Sequence, residues 1–263
     1  MENLNITFIQ SALFWEERQK NLDHFRKVID GIREQTDLIM LPEMFNTGFS
    51  INPDFCAETM EGASMQFLRE TASAKNAALT ATILIKDQDK YVNRLVFIYP
   101  DGTFLTYDKR HLFRLSDEAR MFNQGNERVV IPLKGWKLMP MICYDLRFPV
   151  WSKNRMVGDE YEYDLLFYLA NWPIVRSHAW KALLVARAIE NLAFVAGVNR
   201  IGEDGNGMPH TGDSMVVDPK GNMLFQASAN EAVVKTVTLN YEDMRIFRES
   251  FAFALDWDTF TIH

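Results

Sequence analysis

Three side chains able to do chemistry each follow directly on a short, mostly apolar run. Glu43 comes after Leu38-Ile39-Met40-Leu41-Pro42, Lys109 after Phe104-Leu105-Thr106-Tyr107-Asp108, and Cys143 after Leu138-Met139-Pro140-Met141-Ile142. Runs of this kind read as buried strands, and ligand sites in open α/β sheets lie beyond the carboxyl ends of strands. With an unperturbed pKa of about 8.5, a thiol is only a few per cent thiolate at neutral pH, so a nucleophilic cysteine needs a base or a nearby positive charge. Glu43 can take the proton. Lys109 can hold the negative charge that develops on a carbonyl oxygen under attack, and the backbone N–H of Tyr144, next after the thiol, can assist. A carboxylate, an ammonium and a thiol so placed describe acyl transfer through a thioester. The plainer reading makes Cys143 a small core hydrophobe and the two charges loop decoration.

The elements that must position these groups alternate along the chain as in an α/β protein. Strands are expected at 5–10, 37–41 (stopped by Pro42), 79–85, 94–99 and 103–107, the last entered through the turn Pro100-Asp101-Gly102. Between 15 and 35, Leu22, Phe25, Val28, Ile29 and Ile32 recur mostly at three- and four-residue spacings, which predicts a helix with one face on a core. Residues 64–78 also read as helical. The second half continues the alternation, with strands at 137–142, 165–169 and 194–198, a helix over 179–191, a strand running into a turn over 216–222, then strands at 223–226 and 232–239. The last twenty or so residues, rich in Phe and carrying Trp257, read as an extended tail that something must cover.

Composition narrows the classes. With 48% hydrophobic and 13% aromatic residues, 263 residues bury a substantial core and are not disordered. No linker, repeat or low-complexity stretch divides the chain, so residues 1–263 read as a single domain with that C-terminal tail. Lys and Arg number 28 against 35 Asp and Glu, a net charge of −7, and the longest basic run is Lys109-Arg110. Neither nucleic acid nor an anionic membrane surface is therefore an expected partner. The start, Met1-Glu2-Asn3, lacks a basic leader pattern, no apolar run reaches the ~18 residues of a membrane helix, and the expected location is the cytoplasm. The two cysteines, Cys56 and Cys143, are expected to be free thiols, with Cys56 taking no catalytic part. His24, His111, His178, His210 and His263 show no metal-ligand spacing, and the thirteen methionines read as core filling. No metal or other cofactor is implied.

The segments around the three groups resemble the nitrilase superfamily of carbon-nitrogen hydrolases. Leu41-Pro42-Glu43-Met44-Phe45 resembles its glutamate segment, Tyr107-Asp108-Lys109-Arg110-His111-Leu112-Phe113 its lysine segment, and Cys143-Tyr144-Asp145-Leu146-Arg147-Phe148-Pro149 its cysteine segment, in the family's order. The likeness runs from the first strand to about Gly221, through Arg187-Ala188-Ile189-Glu190-Asn191, Asn199-Arg200-Ile201-Gly202 and Asp218-Pro219-Lys220-Gly221. Ala170-Asn171-Trp172-Pro173 and the end of the lysine segment resemble the omega-amidase branch in particular. The resemblance implies an α/β fold of the four-layer αββα sandwich type, a homodimer or larger homo-oligomer, and a small-molecule amide as partner. The implied activity is release of ammonia from the terminal amide of a short dicarboxylic monoamide, of the 2-oxoglutaramate or 2-oxosuccinamate type. It makes Cys143 the nucleophile, Glu43 the base and Lys109 the oxyanion stabiliser. Glu118, seven positions before Gly125, fits the family's second glutamate, which orients the lysine. Glu127, after that glycine, does not.

Other residues carry further expectations. Trp172, between a strand end and Pro173, is expected in the pocket wall, and Asp145 and Arg147 are expected mainly to hold the nucleophile turn. Arg176, before the helix at 179–191, is placed to grip a substrate carboxylate. The alternatives are another nitrilase-type amidase, such as an N-carbamyl amino acid hydrolase, and a papain-like Cys-His hydrolase using His111 or His210. The papain-type local signatures are absent. No G-x-G-x-x-G or Walker loop follows the first strand, and the glycine-rich stretch 202–207 reads as a loop.

Overall fold

In the computed structural model, which describes residues 1–262, the apolar runs assemble into two six-stranded sheets. His263 lies outside the described residues. The strands are β1 (Leu4–Gln10), β2 (Leu38–Met40), β3 (Ala78–Asp87), β4 (Lys90–Ile98), β5 (Phe104–Asp108), β6 (Ile131–Leu133), β7 (Trp136–Ile142), β8 (Leu165–Ala170), β9 (Phe194–Asn199), β10 (Met215–Val217), β11 (Met223–Gln226) and β12 (Val233–Leu239). One sheet has the order β12-β1-β2-β3-β4-β5 and the other β11-β10-β9-β8-β7-β6. Each has three parallel strands at its centre, β1-β2-β3 and β7-β8-β9, with antiparallel neighbours outside them.

The alternation of side chains along each strand makes the layers. Ile6, Phe8, Leu38, Met40, Leu95 and Phe97 of the first sheet share a core with the second. Ile9 and Ile39, next to these in sequence, and Leu79 and Ile83 of β3 turn the other way, onto Phe25 and Ile29 of α1 (Arg18–Asp30) and Phe67 and Leu68 of α2 (Ala63–Lys75). The second sheet carries α3 (Ser177–Asn191) and α4 (Tyr241–Ser250) through Trp180, Leu184 and Met244. The result is the αββα sandwich. Gly197 of β9 lets α3 come close, since a Cβ there would lie 2.5 Å from Leu184 and 2.7 Å from Trp180.

Two expectations need correcting. The C-terminal segment is not extended throughout: it begins with the ten-residue helix α4, whose start is capped by Asn240 accepting from the Asp243 N–H at 3.2 Å. Its inward face is short, Tyr241, Met244, Phe247 and Arg248, and of these only Met244 and Arg248 are buried. Arg248 is held there by Asp164 at 2.7 Å and by the carbonyls of Leu192 and Tyr163. Trp257 then packs on its own chain, 3.7 Å from the Lys153 ammonium and edge-on to Tyr161. The glycine-rich stretch is likewise more than a loop, because Ile201–Glu203 and Pro209–Thr211 pair as an antiparallel hairpin around it. Among the described residues, no helix is long and apolar enough to cross a membrane.

Candidate active site

The three groups singled out at strand ends converge because of strand direction. β5 reverses β4, which reverses β3, so β5 ends on the same side as the parallel strands β1 to β3. Glu43 follows β2 and Lys109 follows β5, while Cys143 follows β7 of the facing sheet. Cys143 opens a tight helical turn, Cys143–Arg147, with φ +40°, a left-handed conformation uncommon for residues other than glycine. Such strain is often stored at functional sites. Gly125 brings the Glu118 segment against the end of β5: its N–H donates to the Lys109 carbonyl at 2.9 Å, and a Cβ would fall 2.2 Å from the Asp108 carbonyl oxygen.

Lys109 is the hub. Its Nζ donates to Glu43 Oε1 at 2.9 Å and to Glu118 Oε1 and Oε2 at 2.9 and 3.1 Å, all three side chains being buried. Asn93, on β4, donates to Glu43 Oε1 at 2.8 Å, and the Asn171 N–H to Glu43 Oε2 at 2.9 Å. The Asn171 side-chain amide also donates to the Glu43 carbonyl, and the Phe113 N–H to Glu118 Oε2 at 2.6 Å. Burying ions is costly unless they are paired and hydrogen-bonded, and each here is. Burial opposes the charge of Lys109, but Glu118 and Glu43 together outweigh it and hold the ammonium above its ordinary range. Burial and then the neighbouring Glu43 push the Cys143 thiol well up, with Lys109 pulling the other way. Burial, aided by Glu43 and opposed by Lys109, raises Glu118. At rest the thiol is therefore protonated, with a carboxylate beside it to take the proton.

These groups open into a cavity of about 660 Å³. Tyr144, Trp172 and Arg176 line it, as does Arg147. The Arg147 guanidinium lies 4.8 Å from the centre of the Trp172 ring, and that of Arg176 5.3 Å from Phe113. Neither arginine has a carboxylate partner among the described residues. This corrects the expectation for Arg147, which faces the cavity rather than tying down its turn. Asp145 does the tying, accepting from the Ile142 N–H at 3.0 Å.

The family model described as carbon-nitrogen hydrolase matches residues 5–249. The chain belongs to the carbon-nitrogen hydrolase family. Among relatives of this hydrolase, the omega-amidase YafV of Yersinia enterocolitica is 41% identical over all of both chains. The 2-oxoglutaramate amidase of Bacillus subtilis is 29% identical over 93% of this chain and 94% of its own. Among solved structures, a carbon-nitrogen hydrolase superfamily protein of Xanthomonas campestris with an arsenic adduct in its active site is 38% identical, with a TM-score of 0.98 over 100% of both chains. This carbon-nitrogen hydrolase is of the omega-amidase branch and hydrolyses amides.

In this hydrolase the structure brings Glu43, Lys109, Glu118 and Cys143 together and leaves Glu127 exposed and Cys56 buried outside the cavity. His111 is hydrogen-bonded to Asp145 and stacked on Phe148, and does not line the cavity. His210 does line it, and burial lowers its pKa to about 4. Sequence reading missed Asn93, which anchors both carboxylates: it lies in the polar first half of β4, beside Lys90, Tyr91 and Arg94 and before the apolar run that marked the strand. It also missed Trp15 and the hairpin residues Asp204, Asn206 and Met208 in the cavity wall, which no local pattern marked.

Proposed function

We propose that the protein hydrolyses the terminal amide of a short dicarboxylic monoamide, of the 2-oxoglutaramate or 2-oxosuccinamate type, through a thioester on Cys143. Glu43 takes the thiol proton as sulfur attacks the amide carbon, and Lys109 Nζ and the Tyr144 N–H receive the oxyanion. Glu43 then returns the proton to the leaving nitrogen, ammonia departs, and the acyl group stays on sulfur. A water deprotonated by Glu43 adds to the thioester, and the acid leaves as the thiol is re-protonated. Glu118 keeps Lys109 charged and aimed.

The observation that carries the substrate class is the pair of half-buried arginines, Arg147 and Arg176, in the same cavity as Cys143, neither of them in an ion pair among the described residues. A guanidinium in such a place can bind a carboxylate through two parallel hydrogen bonds, so a small acid with its amide at the far end fits. The names of the relatives agree with this reading. Ammonia release should be measured from monoamides, nitriles and N-carbamyl acids, with the monoamides of dicarboxylic acids expected to react fastest. Arg176→Ala should cost roughly tenfold to a hundredfold in kcat/KM on a carboxylated monoamide, the loss of a charge-assisted pair, and little on an uncharged amide of similar size. Equal losses on both would mean that Arg176 does not read the carboxylate.

A further inference from the structure

Cys143 and Lys109 stand on different sheets, and a single buried carboxylate joins the segments that carry them. Asp145 Oδ2 accepts from the Ile142 N–H at 3.0 Å and from the Tyr107 hydroxyl at 2.8 Å; Oδ1 accepts from the His111 N–H at 3.0 Å and from His111 Nδ1 at 2.7 Å. Ile142 and Asp145 flank Cys143, while Tyr107 and His111 lie two residues either side of Lys109. A carboxylate only accepts, so the proton of the imidazole sits on Nδ1. The ring is stacked on Phe148 with centroids 3.8 Å apart and planes within 7°, and the Tyr107 hydroxyl also accepts from Trp151 Nε1 at 3.0 Å. Burial, reinforced by the Asp145 charge, holds the Tyr107 phenol well above its ordinary pKa, so it remains a donor.

We propose that Asp145 and His111 are positioning residues that set the distance and angle between the Cys143 thiol and the Lys109 ammonium. This rests on the mechanism above, in which sulfur and ammonium act on one carbonyl group. His111 is then needed as a hydrogen-bond donor to Asp145, not as a proton carrier. A misplacement of about 1 Å between reacting groups can cost on the order of a hundredfold in rate, and the clamp is what prevents it.

The test uses Asp145→Asn, His111→Asn and His111→Gln in the full-length protein, with 2-oxoglutaramate as substrate and iodoacetamide alkylation of Cys143 followed by peptide mapping. In Asp145→Asn one amide nitrogen must face N–H or O–H donors, so kcat should fall roughly a hundredfold with KM within about twofold, and alkylation should slow about tenfold. Asn places an amide near the position of Nδ1, whereas Gln reaches towards that of Nε2. His111→Asn should therefore retain kcat and alkylation rate within about threefold, and His111→Gln should lose roughly tenfold in both. Equal losses in the two His111 variants would overturn the proposal, as would a rise in KM alone in Asp145→Asn. If Asp145→Asn does not fold, the His111 pair decides. If the wild-type protein leaves 2-oxoglutaramate intact, the substrate reading fails, and the alkylation series still decides the clamp.

Discussion

At the scale of single residues, a protonated thiol and a charged lysine beside a shared carboxylate make a division of labour that substitution can separate. Glu43→Gln keeps the shape but cannot accept the thiol proton, and its amide nitrogen must face either the Asn171 N–H or the Lys109 and Asn93 donors. Lys109→Ala removes the oxyanion partner and leaves Glu43 and Glu118 buried without their counter-ion. We expect each to lower kcat by roughly a hundredfold or more, read in a steady-state ammonia assay, while His210→Ala retains most activity. Full activity in Lys109→Ala together with loss in His210→Ala would point back to a Cys-His mechanism. Glu43, Lys109 and Cys143 were legible because each follows a strand-like run within a recognisable segment. Asn93 was not, since one polar residue among Lys90, Tyr91 and Arg94 gains meaning only from the carboxylates that lie across from it.

At the scale of elements, the cavity depends on how closely helices ride on sheets. α3 begins one residue after Arg176, and its Ser177 hydroxyl donates to Asp213 Oδ2 at 2.8 Å, which fixes the start of the helix against the hairpin segment. Further along, α3 sits so near β9 that Gly197 has no room for a methyl group. Gly197→Ala should lower stability by about 1–3 kcal/mol through overpacking, seen in urea melts as a lower midpoint with an unchanged slope. An unshifted midpoint would show that α3 can move outward at no cost. The same logic explains the missed helix α4. It is held by an N-cap, by Met244 and by a buried arginine pairing with Asp164, and two of those three are contacts with residues distant in sequence.

At the scale of the whole molecule, the aromatic tail divides into a covered and an uncovered part. Trp257 is packed by Lys153 and Tyr161 of its own chain, which weakens it as a reason for assembly. Ile246, Phe251 and Leu255 remain 51, 55 and 79% exposed. Burying a side chain of this kind contributes about 1.5–3 kcal/mol, so covering all three against another copy is a sizeable incentive to associate. Light scattering at micromolar concentration should therefore report a dimer or larger assembly, and Phe251→Ser with Leu255→Ser should shift it towards monomer. A monomeric wild-type protein would show that this surface does not drive assembly.

The sequence by itself determined the alternation of strands and helices, because burial on a sheet or helix face imposes its period on neighbouring residues. It also determined which carboxylate, ammonium and thiol end those strands, and the ordered segments that mark the family. Only the tertiary structure decided that Lys109 is shared by two carboxylates, that Arg147 faces the cavity while Asp145 ties two sheets together, and that a glycine-rich stretch is a hairpin in the cavity wall. Those outcomes depend on hydrogen bonds and close approaches between residues far apart in the chain, whose direction no local pattern records.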